Sequence, residues 1–240
     1  MRPEKTIVML AADTARTSAY AQALAHAGID ISSAALVVPD SQRWGQTSSP
    51  PTCTVSLEDL FLPDVTVPAL DACQVICERL DVLQTNSIND PVCIQWLTRE
   101  AADLVIFSGF GGELVKSEVL DAGAPLLHMH AGWLPDYRGS TTVYYSLLNE
   151  GAIGVSAITL TAEIDSGPIV ARKKFAPPPP GVDLDYCYDS AVRADLLVQV
   201  IGRYLENGEL DQLEIEHGSQ GCDYYIIHPL LKHIVLGRLP

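Results

Sequence analysis

The sequence predicts a doubly wound α/β domain with a mostly parallel sheet, followed by a C-terminal extension of helix and strand. Residues 5–12 form a continuous apolar run bounded by charge, which is typical of a strand buried on both faces. Residues 17–28 carry alanine and leucine at helical spacing and stop at Gly28. Residues 31–38 form a second apolar run. The chain therefore opens with a βαβ unit, which predicts parallel strands joined by a right-handed crossover.

The later elements continue this alternation. Residues 41–66 are irregular and rich in Ser, Thr and Pro, which favours a long surface segment that could cover a site. Periodicity and apolar runs predict helices over 70–81, 90–102, 113–122 and 141–149 and strands over 103–107, 125–129, 155–160 and 168–175. Four prolines at 177–180 mark the edge of the main unit, which we assign to residues 1–176. The extension, residues 177–240, begins with an amphipathic helix over 183–206, and we expect it to dock on the core or to serve in a homodimer.

Composition and charge disfavour several classes of partner. Apolar residues make up 48% and charged residues 19%, an ordinary globular balance. Thirty acids against fifteen bases give a formal net charge of −15, which disfavours nucleic acid. No apolar run approaches the roughly 18 residues of a membrane span, so we expect no membrane partner. The six cysteines contain no CxxC pair, and without an export signal we expect reduced thiols and a cytoplasmic location.

Two histidines and one acid are the residues most suited to chemistry. His128 and His130 are two apart on a predicted strand, so their side chains point the same way. Asp165 follows on a tight turn between two predicted strands. Because a carboxylate raises the proton affinity of a histidine, an acid and a histidine that meet would form a proton-transfer pair. Another signal is the glycine-rich turn at 108–112, which follows a strand where open α/β sheets bind ligands; an ordinary tight turn explains it equally well.

Residues 128–139 resemble the motif of the formyltransferase family, which includes the methionyl-tRNA, glycinamide ribonucleotide and sugar-amine N-formyltransferases. The matching positions are His130, Leu134, Pro135, Tyr137, Arg138 and Gly139, and later Asp165 and Gly167. The resemblance runs over most of residues 5–172 and implies a Rossmann-like fold. No GxGxxG follows the first strand, so a nicotinamide cofactor is not expected.

The resemblance implies that 10-formyltetrahydrofolate is the formyl donor and that one loop contacts the folate. That loop comprises Phe110, Gly111, Gly112, Glu113 and Leu114. It also implies that His130 moves protons with Asp165 as its partner. The family's oxyanion-holding Asn is replaced here by His128, and its Pro-Ser by Ala131-Gly132. Our hypothesis is that His128 replaces the Asn as oxyanion donor and leaves a histidine-like limb in the pH–rate profile.

The acceptor is expected to be a small amine: an amino sugar, an amino acid or a biosynthetic intermediate. The basic C-terminal domain of the tRNA-directed relatives has no counterpart in this sequence, which agrees with the negative charge, so tRNA is not the expected acceptor. Arg16, after the first strand, is a candidate anion contact. Tyr137 and Arg138 are candidate substrate contacts, although bracing of their own loop is the favoured interpretation.

Three alternatives stay open. Water could replace the amine, which would make the protein a formyltetrahydrofolate hydrolase. The loss of the Asn could instead mark a non-catalytic binding protein. His128, His130 and Asp165 also have the composition of a two-histidine, one-carboxylate metal set, with His228 and His233 as further candidate ligands. Spacing of two residues on a strand permits a metal without indicating one, and no metal is expected.

Overall fold

The computed structural model describes residues 5–40, 57–214 and 221–239. Seven strands form one sheet in the order β3-β2-β1-β4-β5-β7-β8, and β6 and β9 form a second, parallel pair. The five strands β3, β2, β1, β4 and β5 are neighbours in this order and run parallel to one another. β7 runs antiparallel to its two neighbours, β5 and β8. The strands are β1 Ile7–Ala12, β2 Ser33–Val38, β3 Arg79–Gln84, β4 Leu104–Ser108, β5 Leu126–His130, β6 Tyr137–Gly139, β7 Ile153–Thr159, β8 Ile169–Phe175 and β9 Cys222–Tyr224.

Helices cover both faces of the large sheet. They are α1 Ala15–His26, α2 Ala69–Ile76, α3 Pro91–Glu100, α4 Ser117–Leu120, α5 Thr142–Glu150, α6 Asp189–Asn207 and α7 Pro229–Leu236, with a π-helical turn Leu184–Tyr188 before α6. The buried side chains of β1 alternate between two cores. Met9 and Ala11 join the core under α1, α2 and α6, while Val8 and Leu10 join the core under α3. This double winding around a mostly parallel sheet confirms the predicted fold class.

Two element predictions are corrected by the structure. The helix expected over 70–81 ends at Ile76, and residues Arg79–Gln84 form the edge strand β3. β3 mixes Arg79 and Asp81 with apolar residues, and only Leu83 in it is buried, so it lacks the continuous apolar run that predicted β1. The helix expected over 113–122 is reduced to Ser117–Leu120. Before it, the Asn89 side chain donates to the Leu114 carbonyl and accepts from the Lys116 amide, which engages the backbone groups that a longer helix would use.

The C-terminal extension shares the main core. Leu196, Leu197, Val200 and Ile201 of α6 are buried in the same cluster as residues of β1 and α1. The division at residue 176 remains a prediction about sequence organisation. Of the predicted surface segment 41–66, residues 41–56 lie outside the described part of the chain, and residues 57–66 contain no helix or strand.

The described cysteines are free thiols, namely Cys73, Cys77, Cys93, Cys187 and Cys222, while Cys53 falls outside the described residues. Burial raises the pKa of Cys73 and of Cys93 to about 12, so these two thiols are inert core residues near neutral pH. Among the helices of the described ranges, none is long and apolar enough to cross a lipid bilayer.

Candidate active site

The three predicted catalytic residues, His128, His130 and Asp165, meet at the carboxyl end of the sheet. The chain leaves β1 for β2 on one side and β4 for β5 on the other, so the crevice beyond β1 and β4 is the usual ligand position in such folds. His128 and His130 lie on the last residues of β5, and the turn that carries Asp165 joins β7 to β8. β7 ends at Thr159, which pairs with Leu127 of β5, and the turn that follows carries the Asp165 carboxylate to His130. One potential ligand atom from each of the three side chains lies within 4.8 Å of the others.

The tautomer of His130 follows from its partners. Nε2 lies 2.7 Å from the carbonyl oxygen of Tyr137, and because a carbonyl only accepts, Nε2 carries the hydrogen. Nδ1 lies 3.4 Å from Oδ1 of Asp165. Burial lowers the pKa of His130, and the nearby Asp165 carboxylate opposes that effect. A neutral His130 therefore has a bare Nδ1 beside a carboxylate, which would stabilise the imidazolium if Nδ1 took up a proton.

Gly132 makes room for this histidine. A Cβ atom at position 132 would lie 2.4 Å from His130 Nε2 and 2.4 Å from the Tyr137 carbonyl oxygen, the two atoms of the hydrogen bond just described. Any larger residue would therefore displace the imidazole or the loop. The glycine at this departure from the family motif is thus part of the way this chain holds His130.

Asp165 is oriented by its backbone and by one amide. Its φ of 47° lies in the left-handed region that few non-glycine residues adopt. Oδ2 accepts a 2.7 Å hydrogen bond from the amide of Gly139, which leaves Oδ1 facing His130. The turn also needs Gly167, because a Cβ there would lie 1.8 Å from the Thr159 carbonyl oxygen. A tight turn and a loop amide together fix the carboxylate.

His128 is a neutral imidazole in a positive environment. Its ring lies 6.1 Å from the ring of Phe107, and its buried Nδ1 has no hydrogen-bond partner among the described residues. Burial, and then the positive charges of Arg16 and Arg193, hold the pKa of His128 well below its ordinary value. A lowered pKa favours the neutral form of the His128 ring near neutral pH. That His128 replaces the Asn as oxyanion donor, with a histidine-like limb in the pH–rate profile, stays a prediction.

Two arginines flank His128, and only one of them was predicted. Arg16 donates to the Ser108 hydroxyl at 3.4 Å and to the Gly109 carbonyl. Arg193, on α6, donates from Nη1 to the Met129 carbonyl at 2.8 Å and from Nε to Asp189 at 3.0 Å. The sequence carried one signal for Arg193, since it forms an i, i+4 pair with Asp189 on the otherwise apolar side of the predicted helix.

The predicted folate loop lies at the end of β4, beside β5. The Phe110 side chain is buried in the core. Gly111 and Gly112 are exposed, and nothing lies within 4 Å of where their Cβ atoms would be. The Glu113 carboxylate accepts from the Ser87 hydroxyl and the Asn89 amide, while Leu114 is exposed. Contact of these five residues with a folate stays a prediction.

Tyr137 and Arg138 make contacts that brace the loop. The Tyr137 ring is buried and stacks on Tyr224 with 5.2 Å between centroids. The Arg138 guanidinium lies 2.9 Å from Asp223 and donates to the Gly221 carbonyl. These contacts of Tyr137 and Arg138 join β6 to β9 and so brace the loop, which is the interpretation that the sequence analysis favoured. Direct substrate contacts by the two residues remain a prediction.

The same three side chains could be spaced for a metal, but their surroundings oppose a cation. Nε2 of His130 is engaged by Tyr137, so only Nδ1 could bind. The guanidinium charges of Arg16 and Arg193 act directly on His128, which would make binding of a divalent cation less favourable. His228 caps α7 by accepting from the Leu230 amide and is not part of the cluster. That no metal binds here stays a prediction, which elemental analysis of the purified protein tests.

Comparison with known proteins places the chain in a family. The family model described as Formyl transferase matches residues 4–179. A methionyl-tRNA formyltransferase of Chloroflexus aurantiacus is 33% identical over 147 residues, which cover 59% of this chain and 46% of that protein. The enzyme of the same name from Chloroflexus aggregans is 33% identical over 162 residues, covering 65% and 49%. The chain thus spans about half the length of these curated relatives.

Solved structures share the fold at low sequence identity. Glycinamide ribonucleotide transformylase 1 from Symbiobacterium toebii superposes with a TM-score of 0.60 at 15% identity, covering 89% of this chain and 96% of that one. A sugar N-formyltransferase from a Shewanella species gives 0.58 at 13% identity, covering 96% and 86%. With the match of the family model to most of the sequence, these results show that the chain belongs to the formyl transferase family.

Proposed function

We propose that the protein transfers a formyl group from a 10-formyltetrahydrofolate-like donor to the amine of a small acceptor. The observation that carries the proposal is the His130–Asp165 pair: an imidazole with Nε2–H fixed by a carbonyl and a bare Nδ1 3.4 Å from a carboxylate, at the ligand-binding edge of the sheet. Membership of the formyl transferase family supports the reaction type, since its curated relatives are methionyl-tRNA formyltransferases.

The glycine loop suits a flat ligand that approaches the backbone closely. Gly111 and Gly112 leave open space where side chains would stand, and Leu114 is 64% exposed beside them. Ile164, next to Asp165, is another exposed apolar residue at the site. Backbone groups with a few apolar contacts are what a planar heterocycle requires. We assign the donor to this loop, so that its formyl group reaches the histidines from the side of α3 and α4.

The chain's own residues then account for each proton. The acceptor nitrogen forms a bond to the formyl carbon, and its proton moves to Nδ1 of His130. Asp165 stabilises the imidazolium that results. The formyl oxygen gains negative charge, which the neutral His128 and the nearby guanidinium groups stabilise. The bond between the formyl carbon and the donor nitrogen then breaks, and His130 returns the proton to that nitrogen.

A small acceptor agrees with the charge of the chain. A formal net charge of −15 repels the phosphates of tRNA, and cytoplasmic folate metabolism would supply the donor. We therefore keep an amino sugar, an amino acid or a biosynthetic intermediate as the acceptor class, and a cytoplasmic location as part of the proposal.

The test offers 10-formyltetrahydrofolate and a metabolite extract to the purified protein and looks for formylated amines by mass spectrometry. Asp165→Asn serves as the blank, and Asp211→Asn, which removes a half-exposed carboxylate paired with Arg203, is the matched control. New N-formyl products with the wild type and the control, but not with Asp165→Asn, support the proposal. Formate released without any amine would favour the hydrolase. Donor binding without turnover would favour a binding protein.

A further inference from the structure

The carbonyl oxygen of Met129 faces an edge of β5 that β4 no longer covers. Carbonyl groups of successive strand residues point to opposite edges, and the Pro125 carbonyl accepts from the Val105 amide of β4 at 3.1 Å. Met129 follows Pro125 by four residues, so its carbonyl also points toward the β4 edge. The pairing of β4 with β5 ends at Phe107 and His128, one residue before Met129. The Met129 carbonyl therefore needs a hydrogen-bond donor from outside the sheet.

Arg193 supplies that donor from helix α6. Its Nη1 donates to the Met129 carbonyl at 2.8 Å, and its Nε donates to Oδ2 of Asp189 at 3.0 Å. The side chains of Arg193 and Asp189 are only 14% and 17% exposed, so this ion pair is largely shielded from water. Asp189 lies one helical turn before Arg193, and its carboxylate orients the planar guanidinium. Two directed hydrogen bonds thus join α6 to the end of β5.

The hydrogen bond to Met129 falls on the peptide group that precedes His130. This peptide group contains the Met129 carbonyl and the His130 amide, and it is planar, so orienting the carbonyl also orients the amide. The His130 ring depends on that orientation, because Nε2 lies 2.7 Å from the Tyr137 carbonyl oxygen and Nδ1 lies 3.4 Å from Asp165. Arg193 is therefore connected to the His130 residue through a single peptide group.

We propose that Arg193, held by Asp189, is a positioning residue that keeps the His130 ring aligned between Asp165 and Tyr137. This inference rests on the proposed function, in which His130 accepts and returns the proton of the acceptor amine. A displacement of about 1 Å at such a group costs about 10²-fold in rate. The inference adds a residue of the C-terminal extension to a site whose histidines and carboxylate lie within residues 128–165.

Kinetics of substitutions at position 193 separate hydrogen bonding from charge. In Arg193→Gln we expect kcat to fall about 10²-fold while KM for donor and acceptor stays within about twofold, because the ring moves but the substrates still bind. Arg193→Lys keeps the positive charge, but an ammonium lacks the planar fork that bonds Asp189 and Met129 together. It should recover at most about tenfold of the loss. Full recovery by Lys would show that only charge matters and would overturn the positioning role, as would a raised KM with unchanged kcat.

Two further variants control for folding. Arg193→Gln leaves the Asp189 carboxylate largely buried and unpaired, which is itself strongly destabilising. The double variant Asp189→Asn/Arg193→Gln removes both charges, so it should melt closer to the wild type and still show the loss of kcat. Arg203→Gln lies on the same helix and breaks only a surface pair with Asp211, so it should keep the wild-type kcat. A double variant with wild-type kcat would contradict the proposal.

A spectroscopic measurement without substrates separates this inference from the proposed function. Nuclear magnetic resonance of ¹⁵N-labelled histidine should show the Nε2–H of His130 bonded to Tyr137 in the wild type and in Arg203→Gln. In Arg193→Lys and in the double variant, that signal should shift and its hydrogen should exchange faster with water. An unchanged His130 signal in both variants contradicts the positioning role, whether or not the protein transfers formyl groups. A wild type that transfers no formyl group contradicts the proposed function, and a changed His130 signal in the variants would still support the link between Arg193 and His130.

Discussion

The substitution Gly132→Ala tests how this chain holds His130, the proposed general base. The added Cβ would lie 2.4 Å from both His130 Nε2 and the Tyr137 carbonyl oxygen, about 1 Å closer than ordinary van der Waals contact at roughly 3.5 Å. Both atoms belong to the 2.7 Å hydrogen bond that fixes the tautomer, so the substitution cannot be accommodated by moving a free side chain. Either the imidazole or the loop must shift by about 1 Å.

The magnitude follows from that shift. A displacement of about 1 Å at a catalytic group costs about 10²-fold in rate. Overpacking of a buried position costs about 1–3 kcal/mol, and loss of the hydrogen bond adds about 1 kcal/mol. Together these costs are about 2–4 kcal/mol, and for a domain of this size we expect Tm to fall by about 4–16 °C. The rate of formyl transfer should therefore fall about 100-fold while the folded protein still binds the donor.

The assay combines kinetics with nuclear magnetic resonance of ¹⁵N-labelled histidine. The wild type should show the Nε2–H tautomer for His130, and Gly132→Ala should lose it together with activity. Gly202→Ala is the control, because nothing lies within 4 Å of its added Cβ on α6. Wild-type activity in Gly132→Ala with an altered His130 spectrum would refute the role of the fixed tautomer. An unaltered spectrum would refute the steric argument itself.

Other changes test the carboxylate, the buried histidines and the loop brace. Asp165→Asn should lower kcat by about 10²–10⁴-fold with donor binding retained, because it removes the charge that stabilises the His130 imidazolium; loss of donor binding in a titration would contradict this. Folding lowers the pKa of both His128 and His130, so below about pH 6.5 the unfolded state binds more protons and stability is lost as pH falls. Melting curves between pH 8 and pH 5 should show this loss, and it should be smaller in His128→Asn; an equal loss would exclude His128 as a cause. Arg138→Ala removes a partly exposed ion pair with Asp223 and should lower the free energy of unfolding by no more than about 1 kcal/mol in denaturant titrations, and a larger loss would mean that the pair does more than brace.

The elements that the sequence predicted well are those whose signal is local. β1 and β4 are continuous apolar runs because helices cover both of their faces, and such runs stand out in any reading of the chain. β3 was missed because an edge strand needs no continuous apolar run, and its identity depends on pairing with β2 across 46 residues of chain. β6 is three residues long, and its hydrogen-bonded pairing with β9 defines it as a strand, so no local pattern predicts it.

The site shows the same division. His130 and Asp165 could be paired in advance because a motif carries them, and the structure brings them within 3.4 Å. The neutrality of His128 could not be predicted, since it comes from burial and from charges on other elements. In the sequence, Arg193 can be identified only as one half of an i, i+4 pair with Asp189 on a predicted helix. Its position beside the histidines depends on where α6 docks, which local sequence does not specify.

The pairing of β6 with β9 links residues 222–224 to the carboxylate of Asp165. Tyr224 accepts from the Ser140 amide at 2.8 Å, and Gly139, directly before Ser140, donates to Asp165. There is no room for a side chain at Gly221, where a Cβ would lie 1.5 Å from the Pro135 carbonyl oxygen. A chimaera that exchanges C-terminal tails between family members must therefore carry residues 135–140 with the tail, or the new tail will misplace an acid some sixty residues earlier in the chain.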